Sequence, residues 1–315
     1  MSTLTTSRLR LRPRGVTWLV AHQHRRILTT AAVLLVATAV VTSGLRIAYE
    51  ATPYDDTATG LFTNSAYRGG IAAVADFFAH AALLLPLLVA AVVAGPMVAR
   101  ELESGTYKLV WTQSVDPARW FAAKVALPAV AVGVVTIGLI GLFRVLWGPA
   151  AGDYRLSWHE RQVFLVLGPT LLAYGLLAVT VGALTGLLVR RTVVAMSAAG
   201  LATGTAMAAM FALSEYLWAP ASATSGDPDS VQIVPGEFVV DTGLLTASGE
   251  RLPDSVCFVQ QYAACYTEHG VVGRWWDYHP DSHLWPLQLV ESGIVLALAA
   301  AVAYAAFRIF RSRHA

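Results

Sequence analysis

Hydrophobic positions in this chain gather into six long blocks separated by polar connections, at about 27–45, 80–99, 125–147, 163–189, 192–213 and 287–307. A hydrocarbon core about 30 Å thick is crossed by about 20 residues at about 1.5 Å rise each, so each block predicts a membrane-spanning helix. The third and fourth blocks contain Gly133, Gly138, Gly141, Pro169, Gly182 and Gly186. Membrane helices tolerate such residues because neighbouring groups satisfy the freed backbone. The first block has a rival reading as a signal peptide, because arginines precede it and Ala37-Thr38-Ala39 is an A-x-A-like site. Its basic leader and apolar stretch exceed the usual signal regions of about 7–15 apolar residues, which favours an anchored helix. The Arg25-Arg26 pair, with no soluble domain to export, is weak twin-arginine evidence.

The connections set an orientation. With a cytoplasmic N-terminus, fifteen basic residues fall inside: Arg8, Arg10, Arg12, Arg14, Arg25, Arg26, Arg100, Lys108, Arg119, Lys124, Arg190, Arg191, Arg308, Arg311 and Arg313. Seven fall outside: Arg46, Arg68, Arg144, Arg155, Arg161, Arg251 and Arg274. The positive-inside bias therefore predicts cytoplasmic termini, in agreement with an even number of spans. The chain divides into a cytoplasmic basic segment with an entry helix (1–26), spans one to five (27–218) with an inner loop at 100–124, an extracytoplasmic cap (219–285), span six (286–307) and a basic tail (308–315).

The cap opens with a Ser/Gly/Asp/Pro run. Val231-Gln232-Ile233-Val234 and Phe238-Val239-Val240 then read as strands, and Pro235-Gly236 and Ser248-Gly249 as turns. Cys257 and Cys265, the only cysteines, lie within it. An oxidising compartment would join them as a disulfide that pins the cap, the other reading being two buried free thiols. The fold class is thus an all-α integral membrane bundle of six helices with a small mixed, disulfide-pinned cap. Composition agrees, with 56% hydrophobic and 13% charged residues against about 25% charged in soluble domains. A net charge of +2 and only two lysines offer no phosphate-binding patch for nucleic acid. Gly182-x-x-x-Gly186 and Gly200-x-x-x-Gly204 are small-residue spacings that allow close helix approach, within the bundle or at a subunit interface.

The inner loop holds the most specific signals. Ser104-Gly105 ends a helix, glycine being favoured in a left-handed C-terminal cap. Asp116-Pro117 starts another, with a capping carboxylate ahead of a proline. Between them Tyr107, Val110, Trp111 and Ser114 share one helical face, which predicts a short helix along the membrane surface. A membrane-anchored turn is the plainer account, with Trp111 and Trp120 in the interfacial belt and Lys124 snorkelling.

The run from Gly95 to Thr106, followed by Leu109, Trp111-Thr112-Gln113-Ser114-Val115, Arg119-Trp120 and Lys124, resembles actinobacterial permeases of the type-2 ATP-binding-cassette (ABC) transporter family. Trp18 to Arg25 resembles the family's amphipathic entry helix, with His22 where the resemblance calls for Arg. Tyr278-x-Pro280-x-Ser282-x-x-Trp285-x-x-Gln288-x-x-Glu291 resembles the lead into its last span. The resemblance implies an exporter permease in the cell membrane, paired with a second permease subunit as a homodimer or heterodimer. It also implies docked cytosolic ATPases that hold ATP and Mg, and no cofactor in this chain. It places the ATPase-coupling helix on 106–114, and the candidate contacts are Glu101, Glu103, Gly105, Thr106, Lys108, Trp111, Gln113 and Arg119, with Lys108 and Gln113 expected on the polar face of the short helix and Glu101 and Glu103 expected to pair with basic groups on the ATPase or the entry helix. Consistent with a separate ATPase, the chain has no G-x-x-x-x-G-K-[ST] loop and no Gly-Lys pair.

Polar residues in the spans are candidates for a pathway or for buried pairs. Asp76 and His80 share a face of span two, and Gln288 and Glu291 a face of span six. The alternative class is a membrane-anchored sensor or an intramembrane enzyme with a ligand-binding cap. No H-E-x-x-H or G-x-S-x-G motif supports the enzyme, and the cytoplasmic segments are too short for a signalling domain.

Overall fold

The structure is a computed structural model that describes residues 22, 25–53, 64–107, 116–151, 154–229, 237–257 and 262–314. Six helices in it are long and apolar enough to cross a membrane. In chain order the helices are α1 (Arg25–Ala51), α2 (Asn64–Leu88), α3 (Gly95–Ser104), α4 (Pro117–Ala150), α5 (Arg161–Leu167), α6 (Thr170–Val189) and α7 (Thr192–Leu213). Strands β1 (Ala221–Ser225), β2 (Phe238–Thr246) and β3 (Arg251–Pro253), helix α8 (Tyr262–His269), strand β4 (Val271–His279) and helix α9 (Leu284–His314) follow.

Four of the crossings outrun the apolar blocks that announced them, while α7 coincides with its block at 192–213. The second crossing is continuous over Ser65–Ser104, 40 residues, or about 60 Å of rise against a core of about 30 Å. Its middle is not α-helical: Val89–Ala94 forms a π-helical segment between α2 and α3, and Gly95 N–H donates to Ala90 O, five residues back. Pro96, which has no N–H and crowds the preceding turn, follows at the start of α3.

The fourth block, expected as one helix, is two. Short α5 stops at Gly168-Pro169 and α6 begins at Thr170. Pro169 has no N–H to donate and restrains Gly168 away from the helical region, and Gly168 is extended, with φ −150° and ψ −162°.

Helix α6 is the hub, 61% buried over its most apolar window, whereas α1 is 6% buried and lies at the periphery. Two glycines let α6 approach the second crossing. A Cβ on Gly182 would stand 2.3 Å from Ala94 Cβ, and one on Gly186 would stand 3.0 Å from Ala99 N. The first small-residue spacing therefore serves packing within the bundle. Gly200 and Gly204 also face the second crossing, at ordinary contact distances of 3.4 Å.

The sheet of the cap has strand order β1-β4-β2-β3, every neighbour antiparallel. Phe238-Val239-Val240 lies in β2 as read, and Ser248-Gly249 forms a turn in which Gly249 has φ +82° and its N–H donates to Thr246 O at 2.9 Å. The proposed strand at 231–234 and the turn at 235–236 lie outside the described residues. Cys257 and Cys265 are joined, with Cα atoms 5.7 Å apart, which ties the turn before α8 to that helix.

Candidate functional site

Two regions gather polar chemistry, one at each end of the bundle. At the end that carries the chain's C-terminus, α3 closes on Gly105 in the left-handed region, φ +72°. The Asp116 carboxylate caps α4, accepting from Ala118 N–H at 3.4 Å and Arg119 N–H at 3.1 Å. Both helix signals of the inner loop thus hold. Lys108, Trp111 and Gln113 lie outside the described residues, as does most of the entry helix. Gly105 is half-buried; Thr106, Arg119 and Glu103 are exposed.

The carboxylates expected to meet an ATPase or the entry helix have partners on other helices of the bundle. Glu101 forms an ion pair with Lys124, which is buried and whose ammonium lies 6.0 Å from the Trp120 ring. Lys124 is therefore not a snorkelling residue: burial without its carboxylate would leave an unpaired charge, and the pair fixes α3 to α4. Glu103 Oε2 accepts from Thr192 N–H at 2.8 Å and from Thr192 Oγ1 at 2.5 Å. It supplies, from another helix, the N-terminal cap that Arg191 does not provide to α7. Phe121 stacks on Phe310 at 4.7 Å, and Arg313 donates to Leu187 O at 3.1 Å, which draws α9 and α6 into the same knot.

At the other end, the helix break beside the cap organises the second region. Where α5 stops, its carbonyls lack helical partners. Gln288 on α9 fills the gap: its Nε2 donates to Phe164 O, and its Oε1 accepts from Thr170 Oγ1 and, at 3.3 Å, from Thr170 N–H. Arg144 on α4 donates twice to Leu167 O, at 2.8 and 2.6 Å, with its guanidinium 5.1 Å from the Trp285 ring. A Cβ on Gly168 would stand 2.5 Å from Gln288 Oε1, so a larger residue there would displace the Gln288 amide from these partners. The broken backbone is sustained by these side chains.

One turn along α9, fully buried Glu291 accepts from Arg161 Nη1 at 2.9 Å and Nη2 at 2.5 Å, and from the Tyr174 hydroxyl at 2.8 Å. The guanidinium also donates to the Tyr174 hydroxyl at 3.1 Å. This fork ties α5, α6 and α9 together. Gln288 and Glu291 thus lie in a buried polar cluster. Asp76 and His80 do not join it; His80 Nδ1 lies 2.9 Å from Asp76 O and 3.4 Å from Asp76 Oδ1, with His80 exposed and Asp76 half-buried on their own helix. Arg144 and Arg161 were counted only as loop charges. The proline-broken fourth block was the signal that could have marked them.

Beside Arg161 and Glu291 lies a cavity of about 370 Å³ between bundle and cap, walled by Trp158, Phe164, Phe211 and Phe238, with Glu160 and Glu215 also lining it. The cap seats on this region through a stack in which His159 lies 5.4 Å from Phe238 and Phe238 lies 5.9 Å from His279. His279 Nδ1 faces His283 Nδ1 at 3.0 Å. Burial holds the imidazoles of His159 and His279 below their ordinary value. Among the described residues no group of three or more His, Cys, Asp or Glu side chains is placed to hold a metal.

A family model described as "ABC-2 membrane transporter related" matches residues 27–215, which takes in five of the six crossings and both polar regions apart from the residues on α9 and the cap. No curated protein and no solved structure matches the chain.

Proposed function

We propose, from the premise that this chain belongs to the ABC-2 membrane transporter related family, that it is the permease subunit of an ATP-driven exporter, of the actinobacterial kind that its inner loop resembles. The observation that carries the reading is the family match over residues 27–215, which holds five of the six helices long and apolar enough to cross a membrane. The termini lie in the cytoplasm and the cap outside, a placement supported by the fifteen-to-seven distribution of basic residues and by the cap disulfide, since such bonds persist in oxidising compartments. ATP and Mg belong to a partner ATPase, and a second permease subunit completes the pathway.

The ATPase docks on 106–114 and on exposed Arg119. Closure of the ATPases pushes this segment, and the knot of Glu101–Lys124, Glu103–Thr192 and Phe121–Phe310 passes the push to four helices at once. Glu101 and Glu103 act here as the stiffeners of the lever. A charge reversal at either would loosen the lever, so docking is better tested at Lys108, Gln113 and Arg119.

The experiment is co-expression with candidate ABC ATPases from the same organism, followed by pull-down and ATP turnover in nanodiscs. Lys108→Glu with Gln113→Glu and Arg119→Glu should leave expression of the permease unchanged and reduce ATPase recovery and permease-dependent turnover at least fivefold. Wild-type recovery and turnover in the triple variant would refute docking on this loop. Failure of the wild-type chain to bind or stimulate the ATPase would refute the permease reading.

A further inference from the structure

We propose that the cavity between cap and bundle is a binding site for an organic cation with an aromatic or aliphatic body. Its volume of about 370 Å³ falls in the range of small-molecule sites, about 300–1,000 Å³, which combine apolar walls with a few placed polar groups. Trp158, Phe164, Phe211 and Phe238 supply the walls, and ring faces attract cations through their quadrupoles. The protein already uses two of these rings in that way: the Arg161 guanidinium lies 5.7 Å from the Phe164 ring and 5.8 Å from that of Phe211.

The sign of the ligand follows from which charges are already matched. Arg161 is held by both oxygens of Glu291, so its charge is neutralised at the cavity floor. His159, whose imidazole burial disfavours in the charged form, adds no positive charge near neutral pH. Glu160 and Glu215 line the same space and form no ion pair among the described residues. The cavity therefore holds two unmatched carboxylates against aromatic walls. An anion meets repulsion there, and a neutral body leaves both carboxylates unmatched. A quaternary or protonated amine joined to an apolar body satisfies walls and charge together. Binding rests on the cavity alone; transport of the occupant would rest also on the permease reading.

The test uses the full chain in nanodiscs without an ATPase, titrated with phenyltrimethylammonium and its neutral isostere tert-butylbenzene, with binding followed by ligand-observed NMR. Saturable one-to-one binding of the cation is expected, at least tenfold tighter than that of the isostere and at least fivefold weaker in Glu160→Gln/Glu215→Gln. Equal binding of the two compounds, or undiminished cation binding by the double variant, would overturn the proposal. If the double variant does not fold, Phe211→Leu carries the test. This substitution keeps an apolar wall at an exposed position and removes a π face, so the preference for the cation should fall at least threefold, and an unchanged preference overturns the site. ATPase pull-down is measured separately, so a failed titration and a failed permease reading give different results.

Discussion

Removing the Glu291 carboxylate should be among the most destabilising single changes in the bundle. Glu291 is fully buried, the Arg161 side chain is 13% exposed, and three hydrogen bonds of 2.5 to 2.9 Å converge on the carboxylate. Glu291→Leu leaves a guanidinium in a low-dielectric site without its counter-charge, and breaking a buried pair from one side costs about 3–5 kcal/mol. The cavity beside Arg161 gives it partial access to water, which favours the lower end, about 3 kcal/mol, or more than a hundredfold in the folded fraction at about 1.4 kcal/mol per tenfold. Tyr174→Phe removes one partner and should cost about 0.5–1.5 kcal/mol. Arg161→Met combined with Glu291→Leu removes both charges, and such replacements are often neutral, so the double variant should return to within about 1 kcal/mol of the wild type. Reversible unfolding in bicelles, read as a double-mutant cycle, gives the coupling directly. A Glu291→Leu cost below about 1 kcal/mol, or two single costs that merely add, would refute the assignment of a buried, mutually dependent pair.

Four other outcomes follow from the same packing and polar contacts. Gly182→Val should lower the yield of folded protein and its stability by at least about 1–3 kcal/mol, because even a Cβ would stand 2.3 Å from Ala94; thermal unfolding with wild-type midpoint would contradict that contact. Gln288→Leu strips partners from Phe164 O and Thr170, at about 1–3 kcal/mol for the buried groups left unpaired, and protease accessibility at the α5–α6 break should rise in step. Burial holds His159 and His279 below the ordinary 6.5, so the unfolded junction takes up protons that the folded one refuses; stability is full above about pH 6.5 and falls as pH drops below it. Hydrogen exchange across 276–283 should therefore speed up relative to 25–51 between about pH 7.5 and about pH 5, and a pH-independent ratio would refute the buried neutral stack. Cys257→Ser/Cys265→Ser should destabilise the cap by about 2.5 kcal/mol, as expected for a short closed loop, and leave the bundle helices intact by circular dichroism.

The residues that could be read along the chain were those whose effect is local. Span positions follow from apolar length against bilayer thickness. The cap at Gly105 and the start at Asp116-Pro117 follow from backbone conformations that only a few residue types favour, and the Cys257–Cys265 link was open to a chain with only two cysteines. What the tertiary structure decided depends on partners far apart in sequence. Pro169 marked a tolerated irregularity, yet whether the helix bends or breaks depends on Gln288 and Arg144 arriving from α9 and α4 to take the orphaned carbonyls. Glu101 and Glu103 look alike in sequence, but one neutralises buried Lys124 and the other caps α7, because the helices that bring those partners are set by packing around α6. Asp76–His80 and Gln288–Glu291 show the same short helical spacing. Only the bundle turns the first outward and buries the second beside Arg161, since helical periodicity places residues on a common face without stating what that face meets.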